Sequence, residues 1–325
     1  MIVKTRLPIT NKTDPATKES INAYQKEKKI EVEIKIKHDG DVNKARAMPF
    51  ANKYNIIATQ NSNGEILIFD YFKHPNQPKE ENEESKPSLR LKGHSTVEGY
   101  GLNWNTLKEG ELVSGNGDGK VCLWQINEQK NMSPIIEWKE HDSCNDVCFN
   151  KKNGNILLSC GEDKKLILYD TRQNKPINII NLDSEINTVD FNNVNENIFL
   201  AGCNDNNIGL YDLRNLNLRM HSFIHHNDKV IGVKWNNKLP NIFASFSDDK
   251  KVLVWDVTKI GTIMASVDNE DGPSELLFTH GGHTAPVYDI DWNKNEDLML
   301  ASVSSDNSLH IWEMDNLIYH NDNEL

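Results

Sequence analysis

Histidine, serine and aspartate recur together along this chain. One such set could do nucleophilic catalysis, with a serine attacking, a histidine taking its proton and an acid orienting the histidine. His94, Ser114 and Asp118 form one set, with Trp124 six residues on; His283, Ser302 and Asp306 form another, with Trp312 six residues on. The same types return at His141, Ser159 and Asp163 and at His226, Ser245 and Asp249. Catalysis needs a single set, whereas repetition at fixed offsets suits a structural network whose buried polar groups satisfy one another. No residue is therefore assigned a catalytic role. His141, Cys144 and Cys148 have spacings that could serve a metal. Yet His141 holds the repeated histidine place, and no second cysteine pair follows to complete a zinc site. Gly115-Asn116-Gly117-Asp118-Gly119 lacks the Lys-Ser/Thr of a phosphate loop and the closing glutamate of a calcium loop, so it reads as a turn between strands. Neither a metal nor a cofactor is expected.

The elements that position these residues follow from the repeat itself. Six segments end in an aromatic residue set among branched neighbours: Phe69, Trp124, Tyr169, Tyr211, Trp255 and Trp312. Six residues before each stand Asn63, Asp118, Asp163, Asp205, Asp249 and Asp306, and ten before stand Thr59, Ser114, Ser159, Ala201, Ser245 and Ser302. Twenty before stand Trp104, Phe149, Phe191, Trp235 and Trp292, with the first repeat one place off at Met48. The spacing of about 42–57 residues suits a four-stranded propeller blade. The aromatic-Asp ending and the Gly93-His94 and Gly282-His283 dipeptides are the WD-repeat signature. Apolar runs such as Leu166-Ile167-Leu168-Tyr169 predict buried strands, and the Asn, Asp and Gly before them predict tight turns. The fold class is all-β.

Composition narrows the function without naming it. The 325 residues carry 36 Lys+Arg against 48 Asp+Glu, a formal charge of −12. That balance excludes a dedicated nucleic-acid binder and favours cationic partners. No apolar run approaches the roughly 20 residues of a membrane span. Five scattered cysteines point to a reducing compartment.

Longer strings carry a resemblance. His38-Asp39-Gly40-Asp41-Val42-Asn43-Lys44-Ala45-Arg46, Glu98-Gly99-Tyr100-Gly101-Leu102, Glu270-Asp271-Gly272-Pro273 and Leu276-Leu277-Phe278 before His280-Gly281-Gly282-His283 are similar to the retinoblastoma-binding, Msi-type histone-binding WD proteins. The resemblance implies a non-catalytic seven-bladed propeller, a subunit of chromatin assembly factor one and of deacetylase, remodelling and Polycomb complexes. Its partners would be histones three and four, with no membrane and no sequence-specific nucleic acid, and its location nuclear with a cytoplasmic share allowed. It implies a histone-tail site at the channel mouth, carried here by Asp41, Asn43, Glu98, Tyr100, Glu162, Glu185 and Asn187. It also implies a groove for the first helix of histone four, formed by Glu270, Asp271, Gly272, Pro273, Leu276 and Ile318. Asn145, Lys229, Ile231 and Ser305 depart from the family's mouth, and Lys229 reverses a charge. On this reading residues 1–37 are a partial first blade and polar loop, 38–313 six WD repeats, and 314–325 a short helix or tail. The family's earlier strands would precede this chain, through a truncation or an incomplete gene model. A six-bladed ring closed by Glu31–Lys37 remains the alternative. So does a different role, substrate receptor of a cullin ubiquitin ligase, because Tyr169-Asp170-Thr171-Arg172 and Tyr211-Asp212-Leu213-Arg214 resemble its docking motif.

Overall fold

Apolar runs buried on both faces make the third strand of the first five repeats. Ile66–Asp70, Lys165–Asp170, Asn207–Asp212 and Val252–Asp256 are almost entirely buried, as strands covered by neighbours on both sides must be. The turn before each is fixed by a residue with positive φ five places before the aromatic. Gly64, Gly119, Lys164, Asn206, Lys250 and Asn307 hold φ between 61° and 77°. The preceding aspartate closes the turn: Asp118, Asp163, Asp249 and Asp306 accept the backbone N–H two residues on. The two glycines meet a second demand, since a Cβ would lie 2.0 Å from the His141 carbonyl oxygen at Gly119 and 2.3 Å from that of Val97 at Gly64.

These units stack as a β-propeller. The computed structural model describes residues 2–4, 31–50, 52–53, 55–74, 86–127, 132–263, 272–315 and 318. They form six consecutive antiparallel meanders. Blades one to five have four strands each, with innermost strands Val42–Ala47, Gly101–Trp104, Cys144–Phe149, Ile186–Phe191 and Val230–Trp235. Blade six has three, Val287–Trp292, Met299–Ser304 and Leu309–Glu313.

Six blades is the count of the alternative reading. Of Glu31–Lys37, which this reading gave to the closure, Glu31–Ile34 pairs instead with Ile2–Lys4 in a two-stranded sheet of its own. A partner about 30 residues away costs less loop entropy than one across the ring.

Five apolar cores lie between successive blades. The first joins Met48 and Ile68 to Trp104 and Trp124, and the last joins Phe246 and Val254 to Ile290 and Trp292. Among the described residues no such core joins blade six to blade one. Ala47 is exposed in blade one where the neighbouring blades bury Phe149, Phe191, Trp235 and Trp292, and Val303 of blade six is 39% exposed. That junction is spanned by a bidentate ion pair, Arg46 Nη1 and Nη2 donating to Asp289 at 2.6 and 3.1 Å.

Candidate functional site

Each innermost strand of blades one, three, four, five and six opens with a β-bulge. The register skips Asn43, Asn145, Asn187, Ile231 and Tyr288. A bulge re-aims the extra side chain out of the ladder, and all five line one mouth of the central channel. Tyr100, just before the innermost strand of blade two, supplies the sixth wall. With Lys44, Glu162, Lys229 and Asp248 they enclose a cavity of about 540 Å³.

The mouth is part staple and part free surface. Asn43, Asn145 and Asn187 donate to the carbonyls of Gly99, Ile186 and Val230 in the next blade, at 3.3, 3.1 and 2.9 Å. Their job is partly to stitch blades together. Lys229 is neutralised by Asp248 at 3.1 Å, so the reversed charge is answered inside the mouth. Tyr100 donates to Glu98 at 3.0 Å. Burial, then this bond, pushes its phenol up to about 12, so it stays a donor. Tyr100 and Tyr288 are 46% and 58% exposed, and the exposed Glu162 carboxylate has no partner among the described residues.

Below the mouth the channel is plugged. Lys44 faces Asp146 at 3.9 Å, Arg46 binds Asp289, Lys151 binds Asp190 at 3.2 Å and Lys234 binds Asp291 at 2.8 Å. The cavity among these pairs measures about 60 Å³, room for water and not for a peptide. Burial opposes charge on Asp289, yet Arg46, Lys234 and Lys44 hold its carboxyl well below the usual range. A ligand at the mouth would lie across it rather than thread it.

The remaining site candidates fall in different places. Asp41 is exposed and Glu185 accepts from Asn204 at 3.1 Å; neither lines the cavity. Both stand two residues before a bulge. In the second candidate site Gly272 has φ +138° and Leu276 packs against the core between blades four and five. Glu275 beside it is buried against His221 at 2.8 Å. Ile318 is exposed. Glu270 and Asp271, and nearly all of the 314–325 tail beyond Asp315, lie outside the described residues.

The repeated polar set does reproduce the distances of a catalytic triad. His226 Nδ1 faces Asp249 at 2.9 Å and its Nε2 faces Ser245 at 2.8 Å. Ser245 also accepts from Trp255 Nε1 at 2.9 Å. Ser114 with His94 and Trp124, and Ser302 with His283 and Trp312, repeat the arrangement. These serines are 0% exposed and occupied by an indole, so no substrate reaches them. His141 joins the same network through Asp163 and Ser159, and Cys144 and Cys148 are buried on a strand, so the three do not form a metal site. The described residues hold one other gathering of ligating groups, His280, His283 and His310 at blade six.

Acid should unpick this network. Burial works against the carboxylates of Asp118, Asp163 and Asp249, but hydrogen bonds from His94, His141 and His226 and from nearby N–H groups bring them below the usual range. A depressed carboxylate stabilises the fold above its unfolded value of about 3.9 and loses that contribution as pH falls through the folded value. Burial also holds His141 below its ordinary value, so its contribution declines as pH drops below about 6.5. Thermal melts should show a falling midpoint below about pH 6.5 that steepens below about pH 4. An Asp249→Asn variant should start lower and steepen less.

Residues 132–170, 218–256 and 274–313 match the family described as WD domain, G-beta repeat. Those stretches run from the outer, fourth strands of blades two, four and five into the next aromatic ending, in the register of the hydrogen-bonded network. No helix among the described residues is long and apolar enough to cross a membrane.

Proposed function

We propose that this WD-repeat β-propeller is a non-enzymatic histone-binding scaffold, a subunit of chromatin assembly, deacetylase, remodelling or Polycomb complexes acting in the nucleus. The observation that carries the reading is the mouth. Two exposed tyrosines stand around an unpartnered Glu162, over a floor whose charges are internally paired. Aromatic faces and a free carboxylate suit lysine and arginine side chains. The family strings then select a histone tail among basic peptides. The −12 charge would steer such a partner. The acidic loop at Glu270 and Asp271 would add a second contact, to the first helix of histone four.

Calorimetric titration with histone-three tail and histone-four helix peptides, at two salt concentrations, tests this. The tail peptide should bind more weakly at higher salt. Glu162→Gln should cost it about two- to fivefold in affinity, the range of an exposed charge pair. Affinity indifferent to salt and to Glu162→Gln would remove the mouth from the account. A second reading, the ubiquitin-ligase receptor, rests on Arg172 and Arg214. They follow the third strands of adjacent blades, 68% and 71% exposed at their side chains and each held by its own aspartate. That reading predicts no affinity for either peptide.

A further inference from the structure

We infer that His280, His283 and His310 form a binding site for a divalent transition-metal ion, with zinc the ion that its three-imidazole donor set fits best. One ligating nitrogen from each lies within 4.8 Å of the others. His280 Nε2 and His310 Nδ1 are 3.1 Å apart, close to the spacing of two ligands on a tetrahedral zinc. Three imidazoles with an open fourth position suit zinc better than the oxygen-seeking magnesium or calcium.

The blade does not need His280 and His310 as histidines. In the register of the third strand, the place of His310 is taken by Leu67, Cys122, Ile167 and Leu253 in blades one, two, three and five, all fully buried, and by Gly209 in blade four. Packing alone asks for an apolar or small residue there. His280 ends the outer strand of blade five and stacks on Trp312 at 4.4 Å, a contact any flat ring could make. His283 does belong to the repeat network, through Nε2 and Ser302 at 2.8 Å. Its other nitrogen is held loosely. His141 and His226 hold their aspartates at 2.9 Å, whereas His283 Nδ1 is 3.5 Å from Asp306, as His94 is 3.4 Å from Asp118, and unlike His94 it has a serine hydroxyl, that of Ser308, at 3.1 Å. A serine hydroxyl can turn aside at little cost.

Exposed Gly281 and Gly282 leave the approach open, and a Cβ on Gly281 would meet nothing within 4 Å. One adjustment is required. The His283 and His310 rings are stacked at 4.0 Å, and an imidazole binds a metal in its own plane. His310 therefore rotates off the His283 face as the ion enters. The bound ion would clip the end of blade five to the third strand of the three-stranded blade, and would stabilise the folded chain by mass action.

The test uses the full untagged chain, stripped with a chelator and titrated with zinc by calorimetry, with thermal melts in parallel. Cobalt supplies a visible spectrum that reports tetrahedral coordination. Two variants are compared: His310→Leu, which restores the hydrocarbon of blades one, three and five, and His280→Phe, which keeps a ring on Trp312. The expected result is one ion per chain, a higher melting temperature with zinc, and a tetrahedral cobalt spectrum. Each variant should lose at least about a hundredfold in affinity, the upper end of what even a supporting residue costs, and zinc should no longer raise its melting temperature. Should His310→Leu not fold, His280→Phe decides alone. Absence of stoichiometric binding by the wild-type chain, or equal affinity in a folded variant, overturns the site.

Discussion

Trp255→Ala is expected to destabilise the propeller by about 3–5 kcal/mol, the range for emptying a buried aromatic site. The side chain is 0% exposed. It stacks on Phe243 with centroids 6.0 Å apart and meets Phe223 edge-on at 5.3 Å. Its indole N–H is also the first donor of a chain that runs through Ser245 and His226 to Asp249. Truncation opens a cavity between blades four and five and deprives that chain of its starting donor. Trp255→Phe separates the two effects. It keeps most of the volume, as Phe69 does in blade one, and should cost about 1 kcal/mol for the lost hydrogen bond. Urea titrations of the three proteins measure both. A loss under about 1 kcal/mol for the alanine variant would contradict this packing account.

The second large effect concerns the junction of blades six and one. Arg46→Ala should cost about 2–3 kcal/mol, the upper range for hydrogen bonds to charged groups. It leaves Asp289 with Lys234 and Lys44 as its only neighbouring cations. Adding Asp289→Asn should recover part of the loss by removing the orphaned charge. Lys234→Ala, which breaks the pair to a largely exposed Asp291, should cost under about 1 kcal/mol and serves as the comparison. Equal effects of Arg46→Ala and Lys234→Ala would mean that the junction is held by something other than this pair.

The repeat, the strands and the turn positions were legible because each rests on local chemistry: alternation, an Asx turn, an aromatic at a fixed offset. Positive φ at Lys164 and Lys250 was not, since lysine is not a residue that announces it; only their place after an aspartate does. The one irregularity in the offsets, Met48, was a true signal. It marks Ala47 in the place of a packing aromatic, on the face that has no core to join. The mouth was read in part. Asn43, Tyr100, Glu162 and Asn187 line it, but Asp41, Glu98 and Glu185 do not, and Tyr288 was missed. A bulge shifts the alternation by one residue, so a period of two cannot tell which side chain near a strand start turns inward. His280 and His310 were invisible as a pair because 30 residues separate them, and only the meander brings them to 3.1 Å.

The Arg46–Asp289 contact joins residues 243 positions apart, whereas each of the five apolar cores joins blades that are neighbours in sequence. Most of the molecule can therefore form progressively from the N-terminal side during synthesis. Its first innermost strand cannot be completed that way. At about 5–20 residues per second, Arg46 leaves the ribosome roughly 10–50 s before Asp289 exists. For that interval blade one offers Ala45, Ala47 and a cation to whatever is nearby, which makes the nascent chain a client for a chaperone at one defined place and for one defined time.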